Sequence, residues 1–330
     1  MKISVVVPCY NKAPFVGTAI RSVLDQTHDD TEVIVVDDGS SDGSWSIIQS
    51  FGDTVRTRRQ ENQGACHARN RGAERASGDA LMFLDADDAL TPSTLSSLAD
   101  TLRDSQCDIA SCPWNFLVWD GRSWVRKAHG KSEHPPQNDY ILGWLTGWFI
   151  PCHALLWDRE TYEATGGWDE NIHANQDGDI IFRALLNNAN IKHSGEGLAL
   201  YRDFDGLDRS SLKTKKTKET VLSRARVLER LAERLAQQDS LDRYAEAIGR
   251  GLHTFAKRGF SVDRPHPDWY TRRLNEIAKT ARDMAGRQAI TGTTAHRIAC
   301  YLLGLGRKEE LAHYLAQIGI GSSIRRAHEG

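Results

Sequence analysis

Three sets of acidic residues are spaced so that they could do chemistry. Asp85, Asp87 and Asp88 follow the apolar run Leu81-Met-Phe-Leu84. Asp37 and Asp38 follow a second apolar run, Glu32-Val-Ile-Val-Val36, and Asp177 and Asp179 stand at the start of a helical pattern. Two carboxylates one residue apart can turn toward a single point, where a divalent cation offsets their repulsion. A strand end followed by a capping loop accounts for the same residues, because Thr91-Pro92 is enough to start a helix. Asp-x-Asp on its own is therefore a weak signal, and its weight depends on what the chain sets beside it.

The elements that must position these acids read clearly. Ile3–Val7, Glu32–Val36 and Leu81–Leu84 are short β-branched or apolar runs suited to buried strands, and the more polar Thr54–Gln60 suits a sheet edge. Between them, Phe15–Gln26, a segment capped by Ser41 or Asp42, and Ala65–Ala76 have helical spacing. This alternation predicts a parallel, doubly wound sheet. Open α/β sheets bind ligands at their strand carboxyl ends, so both acidic pairs would face one crevice. A nucleotide diphosphate with a cation would use both. The usual phosphate cradles are missing: the loop Pro8–Pro14 holds no glycine, and there is no G-x-x-x-x-G-K-[ST].

Val5-Val-Val-Pro-Cys-Tyr-Asn11, Val35-Val-Asp-Asp-Gly-Ser-Ser-Asp42, Asn62-Gln-Gly64 with Ala68-Arg-Asn-Arg-Gly72, and Leu84-Asp-Ala-Asp87 resemble the successive motifs of the family 2 glycosyltransferases. The resemblance spans roughly residues 1–210. It implies the GT-A fold, a Rossmann-like mixed sheet flanked by helices, and a metal-dependent, inverting transfer from a nucleotide sugar. On that basis Pro8, Tyr10 and Asn11 would line the nucleotide pocket, and Asp37 or Asp38 would bind the base. Arg69 would reach the base or ribose-phosphate side. Asp85 and Asp87 would hold the ribose and the metal-bound diphosphate, with Asp87 the more direct ligand of Mn²⁺ or Mg²⁺, while Asp88 is structural.

Gly166-Gly-Trp-Asp-Glu170 and Asn175-Gln-Asp-Gly-Asp179 resemble the family's acceptor-side motif, with Gln176 where Glu is usual. Asp177 would then be the general base that takes the acceptor's proton. Asp179 is expected to cap the helix. A histidine usual after Tyr201-Arg202 is missing, leaving Asp203, Asp205 or water as third metal ligand. Arg209 and the adjacent serines would form a loop over the diphosphate. The donor is expected to be a UDP-sugar by family frequency, and the acceptor a saccharide or lipid-linked glycan, with a peptide or small metabolite as alternatives.

Seven of nine tryptophans fall between residues 105 and 168. Ile109–Val118 and Ser123–Ala128 read as two strands joined at Asp120-Gly121. Trp144 and Trp148 are candidate platforms for a sugar face. The expected organisation is a catalytic domain over 1–212, with a donor half at 1–104 and an acceptor half at 105–212, then a basic α-helical extension over 213–330.

Charge divides along the same line. Residues 1–210 carry 19 Lys and Arg against 31 Asp and Glu; the remainder carries 23 against 13. A basic helical module suits peripheral contact with anionic lipid headgroups, or pairing into a homodimer. Nucleic acid is not expected, since no aromatic-interleaved basic motif occurs. Six cysteines without metal-like spacing, no leader and no apolar run of membrane length suggest the cytoplasm, at or near the inner membrane face. Two other classes fit the sequence less well. A sugar nucleotidyltransferase would need a glycine-rich phosphate loop that Pro8–Pro14 does not supply. An inactive sugar-nucleotide-binding scaffold is disfavoured because Asp85, Asp87 and Asp177 are all present.

Overall fold

A computed structural model describes residues 1–129, 133–203, 217–262 and 266–289, the last four of these by backbone alone. The chain divides into two compact units, Met1–Ser210 and Ser211–Gly330.

The first unit is built on β1 (Ile3–Cys9), β2 (Thr31–Asp37), β3 (Arg56–Arg59) and β4 (Ala80–Phe83), all parallel. Every residue of β1 and β4 is buried, as expected of β-branched and apolar runs covered on both faces. β3 reads Arg-Thr-Arg-Arg, and its charges sit at the sheet edge, where they discourage pairing with another chain. Between these strands run α1 (Ala13–Leu24), α2 (Ser44–Gln49) and α3 (Ala65–Ala73). A Cβ on Gly72 would overlap the Val6 side chain, so glycine lets α3 lie directly on β1.

After β4 come β5 (Ala89–Leu90), α4 (Thr94–Asp104), β6 (Ile109–Ser111), β7 (Trp114–Trp119), β8 (Trp124–Ala128), α5 (Tyr140–Leu145), β9 (Leu155–Asp158), α6 (Arg159–Ala164), α7 (Gln176–Leu186), β10 (Ile191–His193) and β11 (Ala199–Asp203). The main sheet has the order β10-β6-β9-β4-β1-β2-β3, with β9 antiparallel to both neighbours; a second sheet runs β5-β11-β7-β8. The architecture is thus a mixed α/β sheet flanked by helices. The expected single strand Ile109–Val118 breaks at Cys112-Pro113. Its first part pairs in the main sheet and its second in the other, because proline cannot continue a ladder. β7 and β8 form the expected hairpin, with Asp120 accepting the Arg122 and Ser123 amides in its turn.

The second unit, as described, holds α8 (Lys218–Gln237), α9 (Leu241–Gly259) and α10 (Asp268–Ala289). Thr217 caps α8 in a reciprocal arrangement with Thr220. Tyr270, Leu274, Ile277 and Ala281 bury one stripe of α10. The stretches Thr293–Leu303 and Lys308–Ile318, read as helical, lie outside the described residues, as does the basic run from Lys213 to Lys216.

Candidate active site

The strand order reverses at β1, which has β2 on one side and β4 on the other. Ligands of open α/β sheets bind at such switch points. Cys9 pairs with Asp37 and Val6 with Phe83, so the loops after β1, β2 and β4 emerge side by side. Across this crevice Lys12, immediately before α1, reaches Asp87, with Nζ 2.5 Å from Oδ2. The pair is separated by 75 residues in sequence, and nothing in the local pattern announced it.

Arg69 is the second cation of the crevice. It is only 4% exposed, whereas Arg71 is half-buried and Arg75 exposed. One guanidinium nitrogen donates to Asp85 Oδ1 at 2.6 Å and the other to Gln176 Oε1 at 3.0 Å. The guanidinium also stacks on Trp168, 4.5 Å from the ring centroid. Burial works against its charge, but Asp85 and, more weakly, Asp177 hold it firmly protonated. The next residue, Asn70, exchanges hydrogen bonds with the Trp168 backbone, 2.8 Å to its carbonyl and 2.9 Å from its amide. The Arg69-Asn70 pair therefore joins α3 to the Gly166-Gly167-Trp168 loop.

The two acids after β2 have different surroundings. Asp37 is fully buried, with Arg59 Nε 3.1 Å away. Asp38 holds the turn before α3, accepting from the Gln63 and Gly64 amides at 2.9 and 2.8 Å and from Gln60 Nε2 at 2.7 Å. Of the residues expected in the nucleotide pocket, Pro8 is buried inside β1 and Tyr10 is 48% exposed. Asn11 is left-handed at φ 51° and braces the next loop, its Oδ1 accepting from the Ser41 amide at 2.8 Å.

α7 starts from Asn175, left-handed at φ 64°. Gln176 and the half-buried Asp177 form its first turn. Gln176 Nε2 donates to Ile172 O at 2.9 Å while its oxygen serves Arg69, a division of roles that a glutamate could not copy. Asp179 pairs with Arg183 along the helix at 2.7 Å. Trp144 Nε1 donates to Asn175 Oδ1 at 3.2 Å, and a Cβ on Gly178 would collide with both groups. Trp148, offered as a sugar platform, is buried among core residues and packs edge-on to Tyr140. That expectation is corrected: a side chain so deeply buried offers no open face to a sugar.

Asp88, expected to be structural, is set apart from the other acids by its surroundings. It is buried, accepts the Arg202 amide at 2.7 Å and lies 3.1 Å from His153 Nδ1, which ties the β4 loop to β11. The Arg202 side chain is clamped between Phe15 and Trp124, 4.7 Å from each ring. Asp203 ends β11, while Asp205 and Arg209 lie outside the described residues.

Among the described residues no three His, Cys, Asp or Glu side chains converge as a ready-made metal site. Asp85 and Asp87 nonetheless fit a hard divalent cation. Magnesium-type ions take one or two carboxylates and complete their shell with substrate phosphates and water. The two protein cations already paired with these acids show that the crevice favours positive charge.

The mixed sheet flanked by helices is a fold of the GT-A type. The model of glycosyl transferase family 2 matches residues 4–164, and the first unit of this chain belongs to that family. The chain is 30% identical over 211 residues to the uncharacterized glycosyltransferase EpsJ of Bacillus subtilis, covering 61% of each. It is 35% identical over 214 residues to the uncharacterized glycosyltransferase alr2836 of Nostoc, covering 61% of this chain and 65% of the relative. It thus spans less than two thirds of the length of these curated relatives. Among solved structures, S. aureus TarS 1-349 in complex with UDP-GlcNAc matches with a TM-score of 0.65 at 18% identity, over 96% of this chain and 92% of that one. The mannosyltransferase PcManGT of Pyrobaculum calidifontis, in complex with GDP-Man and Mn2+, matches with a TM-score of 0.51 at 18% identity, over 93% and 88%. These two similarities bear on the fold.

Proposed function

We propose that this glycosyltransferase moves a sugar from a UDP-sugar to an acceptor hydroxyl with inversion, using Asp177 as base and a divalent cation at Asp85 and Asp87. The observation that carries the reading is Arg69, which bridges Asp85 at the end of β4 and Gln176 beside Asp177. Asp85 and the helix turn that carries Asp177 are thereby held on one buried cation. The sugar nucleotides bound by TarS and PcManGT support a nucleotide-sugar donor.

In this reading Asp177 accepts the acceptor's proton as the oxygen attacks the anomeric carbon from behind. When bound, the cation would offset charge on the departing diphosphate. Arg69 holds Asp85 in place through its hydrogen bond to Oδ1. Asp37 serves the base, and Tyr10, exposed at the crevice rim, covers it; Asp38 and Asn11 act by fixing the loops that shape the pocket, with Pro8 beneath. The acceptor is a saccharide or lipid-linked glycan. We further propose that the basic helical unit contacts anionic headgroups at the cytoplasmic membrane face or pairs two subunits. No helix among the described residues is long and apolar enough to cross a membrane.

The test is UDP release across a panel of UDP-, GDP- and dTDP-sugars with Mn²⁺. Release from none of them, with a panel of saccharide and lipid-linked acceptors present, would overturn the reading.

A further inference from the structure

The backbone of Lys12 is pinned while its side chain spans the crevice. Its amide donates to Ser44 Oγ at 2.8 Å, and its carbonyl accepts the Phe15 and Val16 amides at 2.9 Å each as α1 begins. Asn11 and Ala13 on either side are held by the 40–42 loop. Any movement of the ammonium must therefore come from the side chain's own rotamers. That ammonium sits 2.5 Å from Asp87 Oδ2, with Lys12 and Asp87 side chains 20% and 17% exposed. A cation bound at that oxygen and the ammonium exclude one another, since like charges at such separation repel strongly in a partly desolvated cleft.

We propose that Lys12 is a ligand of the donor diphosphate that rests on Asp87 until the donor arrives, so that cation and diphosphate enter together. The inference rests on the metal role given to Asp87 above. Charge balance supplies the reason. Asp85 and Asp87 face Arg69 and Lys12, two negative charges against two positive ones. A bare divalent cation would leave this balanced crevice strongly positive, and a bare diphosphate would leave it strongly negative. Their neutral pair disturbs it least. As the pair enters, Asp87 passes to the cation and the released ammonium turns to a diphosphate oxygen on the same side of the switch point. No bond is made or broken in this exchange. The lysine's four-carbon stem, anchored at a fixed backbone, suits it to move between two nearby anions.

The experiment measures Mn²⁺ binding by the free-ion paramagnetic resonance signal, and UDP binding by calorimetry, on the full chain and its Lys12→Met and Lys12→Arg variants. Without nucleotide, Lys12→Met should bind Mn²⁺ about tenfold more tightly than the parent; with Mn²⁺ saturating, it should bind UDP about tenfold more weakly. Lys12→Arg keeps the charge and should stay near the parent in both. Unchanged or weaker Mn²⁺ binding by Lys12→Met, while the parent binds Mn²⁺ and UDP together, overturns the role of Lys12 and leaves the metal reading intact. A parent protein that binds no UDP with Mn²⁺ overturns both.

Discussion

Arg69 Nη1 donates to Gln176 Oε1 at 3.0 Å, joining residues 107 apart in sequence and fixing the first turn of α7 against α3. Through its other nitrogen the same guanidinium holds Asp85. Arg69→Lys retains the charge, but a single ammonium cannot supply the fork that serves both partners. Nucleotide-dependent turnover should fall at least about tenfold while the fold survives with a loss of roughly 1–3 kcal/mol. Denaturant titration and kcat measured side by side check this, and full activity in the lysine variant would refute the bridging role.

Asp177→Asn removes the proposed base without changing shape. Turnover should drop by roughly 10²–10⁴, with UDP affinity and melting temperature unchanged. Asp179→Asn is the comparison: it weakens a buried pair with Arg183 and should lower stability by roughly 1–3 kcal/mol with little effect on turnover. Similar kinetic losses in both variants would mean that the first turn of α7 matters only as structure.

Asp38 satisfies two loop amides and one side-chain amide, so Asp38→Ala leaves the Gln63 and Gly64 N–H groups unpartnered. A stability loss of roughly 2–3 kcal/mol is expected. Asp37→Asn keeps the size of its buried side chain and should act chiefly on UDP affinity. Calorimetry and thermal melts on both variants separate the two acids. Equal loss of UDP affinity with unchanged stability in Asp38→Ala would return Asp38 to the base-binding role.

Glu32 lies on β2, with Ser4 on β1 and Ser77 before β4 as partners. Burial pushes its carboxyl up, but the Ser4 hydroxyl and the Ser77 amide and hydroxyl outweigh this and bring it down to about 2. A lowered folded value means stability that is fully present above the ordinary carboxylate range and lost as pH falls through it toward 2. Glu32→Gln should therefore be less stable than the parent by on the order of 2 kcal/mol at pH 7, with the gap closing between about pH 4.5 and 2. A gap that does not change with pH would show that the charge on Glu32 contributes nothing.

The strands were legible because burial on both faces of a central sheet requires unbroken apolar runs, and Ile3–Val7, Val33–Val36 and Leu81–Phe83 are such runs. The acids that end β2 and β4 were legible for the same reason: a charge cannot continue into the core, so it marks where each strand reaches the crevice. Asp85 and Asp87 could thus be placed at the crevice without a structure, whereas Asp177, at a helix start, was singled out only by the resemblance of its motif. Local pattern could not say which partner each acid takes. Lys12 meets Asp87 because β1 and β4 are neighbours in register, and Arg69 meets Gln176 because α3 lies flat on β1 where Gly72 permits it. The break at Pro113, which sends β6 and β7 to different sheets, and the burial of Trp148 were decided in the same way. Periodicity reports only neighbours within a few residues, whereas these pairings depend on strand order and helix seating across the chain.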